Sequence, residues 1–350
     1  MLLLRGSARP MTDTQTETPE YLVREYEPGD EEAILASFNR VFAEVEPGFV
    51  PRTLPEWRWR YRENPSGLRI FLALTPEGEV ISQFAGIPQR ALLEGRPAHF
   101  SQGVDSFTHP RFRRGLKRPG YFVLTAWPYV EHYSGPPPGG DTMMWGLPVW
   151  QAWRIGKRFL QEELVRTQLK LVLRPGRFRP APAPGVEVEE VARFPAELDP
   201  WFPRAAAPHA AIAVRDSAQL DWRFTRHPTR RYAVGLARRG RELLGYAVYR
   251  RGSFDGEESG LVCDWLTLPG QPAAAAALRQ WLQDRARAEG EERLTALFPD
   301  TAPEWLDFQR AGYTVRPTRY FMVARSFVEH YSVRWFHRSW YYTLGETDLC

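Results

Sequence analysis

The sequence predicts an α/β (α+β) protein built from two tandem copies of one unit. The first observation is length: 350 residues, 43% of them hydrophobic, are enough for two cores, because a single core stops growing at roughly 250–300 residues. The second is an internal repeat, in which Trp59-Arg60-Tyr61-x-x-x-Pro65 returns as Trp222-Arg223-Phe224-x-x-x-Pro228. The third is that both copies alternate between strand-like and helix-like apolar spacing.

The repeat continues along the chain in the same order. Glu79-Val80-Ile81 aligns with Glu242-Leu243-Leu244, and further on Asp105-x-x-Thr108-x-Pro110 aligns with Asp264-x-x-Thr267-x-Pro269. A single short match could arise by chance in a chain this rich in arginine. Three matches in one order with nearly equal spacing indicate a duplication.

The elements of the first copy follow from its apolar pattern. A strand begins at Tyr21 and is followed by Asp30 as a helix N-cap, and Glu31 to Ala43 has apolar residues at helical spacing. A second helix ends near Pro65. The remaining predicted elements are strands at 70–74 and 80–87, a strand closing at Pro110, a helix from Tyr121 to His132, a strand at 143–147 and a short helix after it.

Composition sets the domain boundaries. The Pro-rich stretch 174–185 is typical of a stiff linker. We therefore divide the chain into an N-terminal segment 1–20, a first domain 21–173, the linker 174–185, and a second domain 186–350 that ends in an aromatic tail. Met1 and Met11 are both possible starts.

Several functional classes are disfavoured by composition. No apolar run approaches the roughly 20 residues of a membrane span, and the N-terminus lacks the apolar stretch of a secretory signal. Two cysteines cannot form a disulfide framework, so we expect a cytoplasmic protein. The net charge of +4 comes from dispersed arginine, and nucleic-acid binding is not expected because a binder should cluster its charge.

The order of elements and the repeated motifs resemble the GNAT superfamily of N-acetyltransferases, and the duplication resembles its tandem members. The resemblance covers nearly the whole chain from about Tyr21. It implies that each domain has a mixed, mostly antiparallel sheet flanked by helices. It also implies acetyl-CoA, or another acyl-CoA, as co-substrate.

In that superfamily a loop of pattern Arg/Gln-x-x-Gly-x-Gly/Ala follows the strand that here closes at Pro110 and opens the next helix. Backbone N–H groups at a helix N-terminus attract phosphates. The best fit is Lys117-x-x-Gly120-x-Phe122, which departs from the pattern at its first and last positions. The resemblance implies these coenzyme-binding residues: Phe107, Thr108, Arg113, Arg114, Gly115, Lys117, Arg118, Gly120 and Phe122.

The second copy differs at this loop. Between Pro269 and Pro272 it has no basic residue, whereas 111–118 has five. The sequence therefore predicts one coenzyme site per chain, in the first domain.

Candidates for acid and base catalysis are few. The resemblance implies a carboxylate on or near the strand before the loop as base, which makes Asp105 the candidate. Asp264 holds the same place in the copy that lacks the basic loop, which favours a structural role instead, and both interpretations stay open. The tyrosine that usually serves as general acid is replaced by Phe308 in the second copy and is missing from 149–159 in the first.

The sequence thus predicts an acyl-CoA-dependent N-acyltransferase with a small-molecule or peptide amine as acceptor. No spacing of His or Cys ligands indicates a metal site. The alternative is a non-catalytic module that senses acyl-CoA or docks a partner. A third hypothesis, transfer from aminoacyl-tRNA, needs a broad basic surface that dispersed charge does not provide.

Overall fold

The computed structural model describes residues 21–46, 48–113, 119–137, 139–291 and 293–349. The strands are β1 Leu22–Glu25, β2 Arg69–Leu74, β3 Val80–Leu93, β4 Arg96–Thr108, β5 Asp141–Gly146, β6 Glu163–Leu173, β7 Glu187–Val191, β8 Ala211–Ala213, β9 Ala233–Arg239, β10 Glu242–Phe254, β11 Glu257–Thr267, β12 Leu294–Ala296, β13 Thr314–Ser326 and β14 Trp340–Tyr341.

The helices are α1 Glu31–Val45, α2 Leu54–Trp57, α3 Tyr121–Tyr133, α4 Trp150–Ile155, α5 Leu198–Ala206, α6 Ser217–Leu220, α7 Pro272–Ala288, α8 Pro303–Arg310 and α9 Val333–Ser339. Three of them continue into a wider π turn, at Arg58–Arg62, Gly156–Leu160 and Asp221–Thr225. Two of these turns, Arg58–Arg62 and Asp221–Thr225, hold the repeated Trp-Arg motif.

The strands form one continuous sheet. Its order is β1-β2-β3-β4-β5-β13-β6-β12-β11-β10-β9-β7, with β8 and β14 attached at β3. The sequence predicts a mixed sheet in each copy, and the structure has them joined. The reason is an exchange of final strands: β13 of the second copy pairs with β5 of the first, and β6 of the first pairs with β12 of the second.

Helices of the first copy pack on both faces of its part of the sheet. Side chains of β2 alternate, so that Leu72 packs in the cluster formed with α1 while Phe71 packs in the cluster formed with α3. The β3 and β4 strands form a hairpin longer than the predicted 80–87 strand. Its turn residues Glu94 and Gly95 both have positive φ, 49° and 75°, as a two-residue primed turn requires.

The duplicated tryptophans meet at the junction of the two copies. Trp59 Nε1 donates to the Trp222 carbonyl oxygen, Trp222 Nε1 donates to the Trp59 carbonyl oxygen, both at 2.7 Å, and the rings stack with centroids 5.4 Å apart. Equivalent residues exchanging equivalent bonds are what a local two-fold axis produces. The repeat seen in the sequence is therefore a structural repeat.

The aromatic C-terminal tail begins as helix α9 and then adds the two-residue strand β14 beside β8. Trp340, Tyr341 and Tyr342 are all buried. Among the helices of the described ranges, none has the length and apolar character needed to cross a membrane.

Candidate functional site

The first copy has a split between β4 and β5. These parallel strands pair only as far as Gln102 with Trp145, and they diverge beyond Gly103 and Gly146. Because they run in the same direction, the gap lies at their carboxyl ends. A cavity of about 640 Å³ occupies it, in the range of small-molecule sites.

The cavity is bordered by four elements that the fold brings together. These are the end of α1, the last residues of β4, the first turn of α3 and helix α4. The residues are Val41, Phe42, Val45, Ser106, Phe107, Thr108, Arg113, Gly120, Tyr121, Phe122, Val123, Val149, Gln151, Ala152, Ile155 and Phe159.

Five of the predicted coenzyme-binding residues border this cavity: Phe107, Thr108, Arg113, Gly120 and Phe122. The other four, Arg114, Gly115, Lys117 and Arg118, lie outside the described residues. The α1 residues were missed by sequence reasoning. Val45 lies beyond the predicted end of the helix at Ala43, and helical spacing alone does not tell which helix end reaches a cavity.

One edge of β4 faces the cavity with its backbone. His109 N–H bonds the Ile81 carbonyl on β3 at 2.8 Å, and backbone groups of consecutive strand residues point to opposite sides. Thr108 therefore points away from β3. Arg113 Nε donates to the Thr108 carbonyl oxygen at 3.1 Å, which agrees with that direction, and the Thr108 N–H faces the same side.

The first turn of α3 forms the opposite end of the cavity. Gly120 is the N-cap, and the helix runs for 13 residues. The first backbone N–H groups of a helix point out of its end, and its dipole favours negative charge there. Phe122 stands where the superfamily pattern has a small residue. Its ring packs against the Phe84 ring, with ring centroids 5.5 Å apart.

Asp105 sits in a buried ionic cluster on the α1 and α2 side of β4. Its carboxylate accepts from both Nη atoms of Arg52 and from Tyr61 Oη at 2.6 Å, with Arg60 Nη1 at 3.8 Å. Burial alone would raise the pKa of Asp105, but the Arg52 and Arg60 guanidiniums outweigh burial and hold the pKa well below its usual range. A carboxylate that is fully paired and holds its proton this weakly is a poor general base.

The second copy repeats the Arg–Asp pair of this cluster. Asp264 accepts from Arg215 Nε at 3.3 Å, from Tyr246 Oη at 2.7 Å and from Thr343 Oγ1 at 2.9 Å. Arg52 and Arg215 differ by the same 163 positions as the two tryptophans. An Arg–Asp pair present in both copies favours the structural interpretation of Asp105.

The place of the cavity is filled in the second copy. Trp265, which aligns with Ser106, is buried and packs against Phe308 with ring centroids 5.1 Å apart. Its carbonyl oxygen accepts from Tyr341 Oη of the C-terminal tail at 2.7 Å. Aromatic side chains and the tail therefore cover the strand edge that is open in the first copy.

Comparison with solved structures places the whole chain among known folds. A probable N-acyltransferase from Enterococcus faecalis V583 is similar with a TM-score of 0.63 at 12% identity, over 91% of this chain and 74% of that one. A GCN5-related N-acetyltransferase from Kribbella flavida has a TM-score of 0.63 at 16% identity, over 89% and 72%.

A tandem GNAT protein from the clavulanic acid biosynthesis pathway has a TM-score of 0.53 at 13% identity, over 88% of this chain and 99% of that one. No protein-family model and no curated protein matches the sequence. These likenesses show a shared fold.

Proposed function

Because the chain has a tandem GNAT fold, we propose that it is an acyl-CoA-dependent N-acyltransferase that moves an acetyl group to a primary amine, with coenzyme bound by the first copy only. The observation that carries this proposal is the cavity at the split of β4 and β5. It places a strand edge, a basic side chain and a helix N-terminus around one space.

The residues present fit an acyl-CoA. Pyrophosphate suits the N–H groups at the start of α3 and the charge of Arg113. Apolar side chains such as Ile155 and Phe159 suit the methylene groups of the pantetheine arm. When bound, the coenzyme supplies an activated acyl group as a thioester.

The chain's own contribution is to orient and polarise that group. The Thr108 N–H, which faces the cavity, is the donor we assign to the acyl carbonyl oxygen, because a fixed backbone dipole stabilises charge that develops there. The described cavity residues include no carboxylate and no imidazole. Rate enhancement by these residues therefore depends on positioning and polarisation, and we do not assign Asp105 as base.

The filled second copy supports the restriction to one site. Trp265 packs against Phe308, its carbonyl oxygen accepts from Tyr341, and the loop before α7 has no basic residue. The second copy then acts as a wall that completes the sheet through β13.

A non-catalytic sensor of acyl-CoA is the second candidate, favoured by the same lack of a carboxylate or imidazole among the described cavity residues. The test is mass-spectrometric detection of acetylated product after incubation with acetyl-CoA and a panel of amines. Acetylated amine that is reduced in Arg113→Ala is expected of the enzyme. Acetyl-CoA that binds but yields no acetylated product above the rate in buffer would contradict the proposal and favour the sensor.

A further inference from the structure

A second, smaller cavity lies between the two copies and is lined by charged residues. It has a volume of about 50 Å³ and is bordered by residues of both copies, among them Arg60 and Gln102 of the first and Arg223, His227 and Arg230 of the second. A water needs about 10–15 Å³ of such space. The cavity therefore has room for a group of three or four heavy atoms.

The acidic residues on its wall are already engaged. Asp264 and Glu346 both pair with Arg215, and Thr343 donates to each of them. Asp348 accepts from Gln102 Nε2 at 2.9 Å. The cavity lining has five arginines and three carboxylates, and Arg90 is paired with Asp216 outside the lining, so the cations of the lining still exceed its carboxylates by one charge.

Arg60 stands out among those cations. Its Nη1 atom is buried and makes no hydrogen bond within the described residues, and its nearest carboxylate oxygen, on Asp105, is 3.8 Å away and also bonds Arg52. An unsatisfied buried donor is costly, and a charged one more so. A bound anion would remove that cost.

His227 also borders this cavity and lies near Arg223, Arg230 and Arg60. Its Nδ1 accepts from the N–H groups of Thr229 and Arg230, and its ring packs 4.1 Å from Trp59. Burial, followed by the charges of Arg223, Arg230 and Arg60, lowers the pKa of His227 to about 2. With Nδ1 as acceptor, the neutral ring carries its proton on Nε2, where it is a further donor.

We propose that this cavity is a binding site for a small anion of carboxylate size, held between the two copies by Arg60 and Arg230. Two sources supply that chemistry: a free anion, or the carboxylate of the amine acceptor. The second source rests on the proposed function. The anion cavity lies next to the coenzyme cavity, because Gln102 borders the anion cavity and is also the last β4 residue paired with β5 before the split.

The test uses sodium acetate as probe and sodium gluconate, which is too large for the cavity, at equal ionic strength. Thermal unfolding of the full chain is followed without coenzyme, so that the outcome is independent of acyl transfer. We expect acetate to raise the melting temperature above that in gluconate, since a ligand bound only to the folded state stabilises it.

The variants Arg60→Gln and Arg230→Gln should bind acetate about tenfold more weakly or worse, the loss typical of one charged hydrogen bond. The matched control is Arg226→Gln, a half-exposed arginine of the same segment paired with Glu63, which should respond as the wild type does. If Arg60→Gln does not fold, Arg230→Gln decides. Equal melting temperatures in acetate and gluconate, or an unchanged acetate response in both variants, would overturn the proposal.

Kinetics with a carboxylated amine and its amide then separate the two sources. If the site holds the acceptor's carboxylate, Arg230→Gln raises KM for the acid and leaves KM for the amide unchanged. If it holds a free anion, Arg230→Gln weakens acetate binding and changes the two KM values equally.

Discussion

Replacing Asp105 with asparagine separates a structural role from a catalytic one. The carboxylate is buried, bonds Arg52 and Tyr61 and lies near Arg60, so the variant leaves two guanidiniums without their counter-charge. Removing one partner of a buried ion pair costs about 3–5 kcal/mol. We expect Asp105→Asn to lower the free energy of unfolding by that amount.

The repeat offers a matched control, Asp264→Asn, whose carboxylate pairs with Arg215 in the second copy. Urea unfolding of both variants should show losses of similar size. The pKa of Asp105 is lowered in the folded state, so its contribution is complete above the unfolded value of about 4 and is lost as pH falls. The difference between wild type and Asp105→Asn should therefore shrink below about pH 4. Full stability of Asp105→Asn together with loss of acyl transfer would refute this reasoning and restore Asp105 as base.

Three further predictions test the fold. Trp59→Phe and Trp222→Phe each leave one buried carbonyl unsatisfied, so urea unfolding should show losses of about 1–3 kcal/mol in both; a neutral effect in one would contradict the local two-fold axis. Breaking the chain between 181 and 184 separates β6 from β12 and β13. Neither fragment should then fold alone, whereas co-expressed fragments should copurify. A fragment that folds on its own, judged by circular dichroism, would be inconsistent with the exchange of strands between the copies. Gly86→Ala places a Cβ 1.8 Å from Tyr129 Oη, so thermal unfolding should show a loss of about 1–3 kcal/mol that Tyr129→Phe partly restores; an unchanged Gly86→Ala protein would count against this packing.

The duplication and the start of the first helix could be predicted because each depends on local pattern. Apolar spacing placed α1 correctly at its start, and the motif ending at Pro110 located the strand that borders the cavity. These features are written in residues that are near one another in the sequence.

The exchange of β6 and β13 could not be predicted, because strand pairing is a long-range property that apolar alternation does not encode. The same limit applies to Arg52, which lies 53 positions from Asp105. The filling of the second copy by Trp265 and Tyr341 also depends on a tail that folds back across 76 positions. The missing basic loop of the second copy predicts a coenzyme site in the first copy only, and this stays a prediction.

The central claim is that the first copy alone binds an acyl-CoA in the split between β4 and β5. Calorimetric titration with acetyl-CoA tests it most directly, using wild type, Ala152→Trp to fill the cavity, and Leu306→Trp as control on the exposed face of α8 in the second copy. We expect one molecule bound per chain by the wild type and by Leu306→Trp, and binding abolished in Ala152→Trp. Absence of binding to the wild type, two molecules per chain, or unchanged binding in Ala152→Trp would contradict the claim.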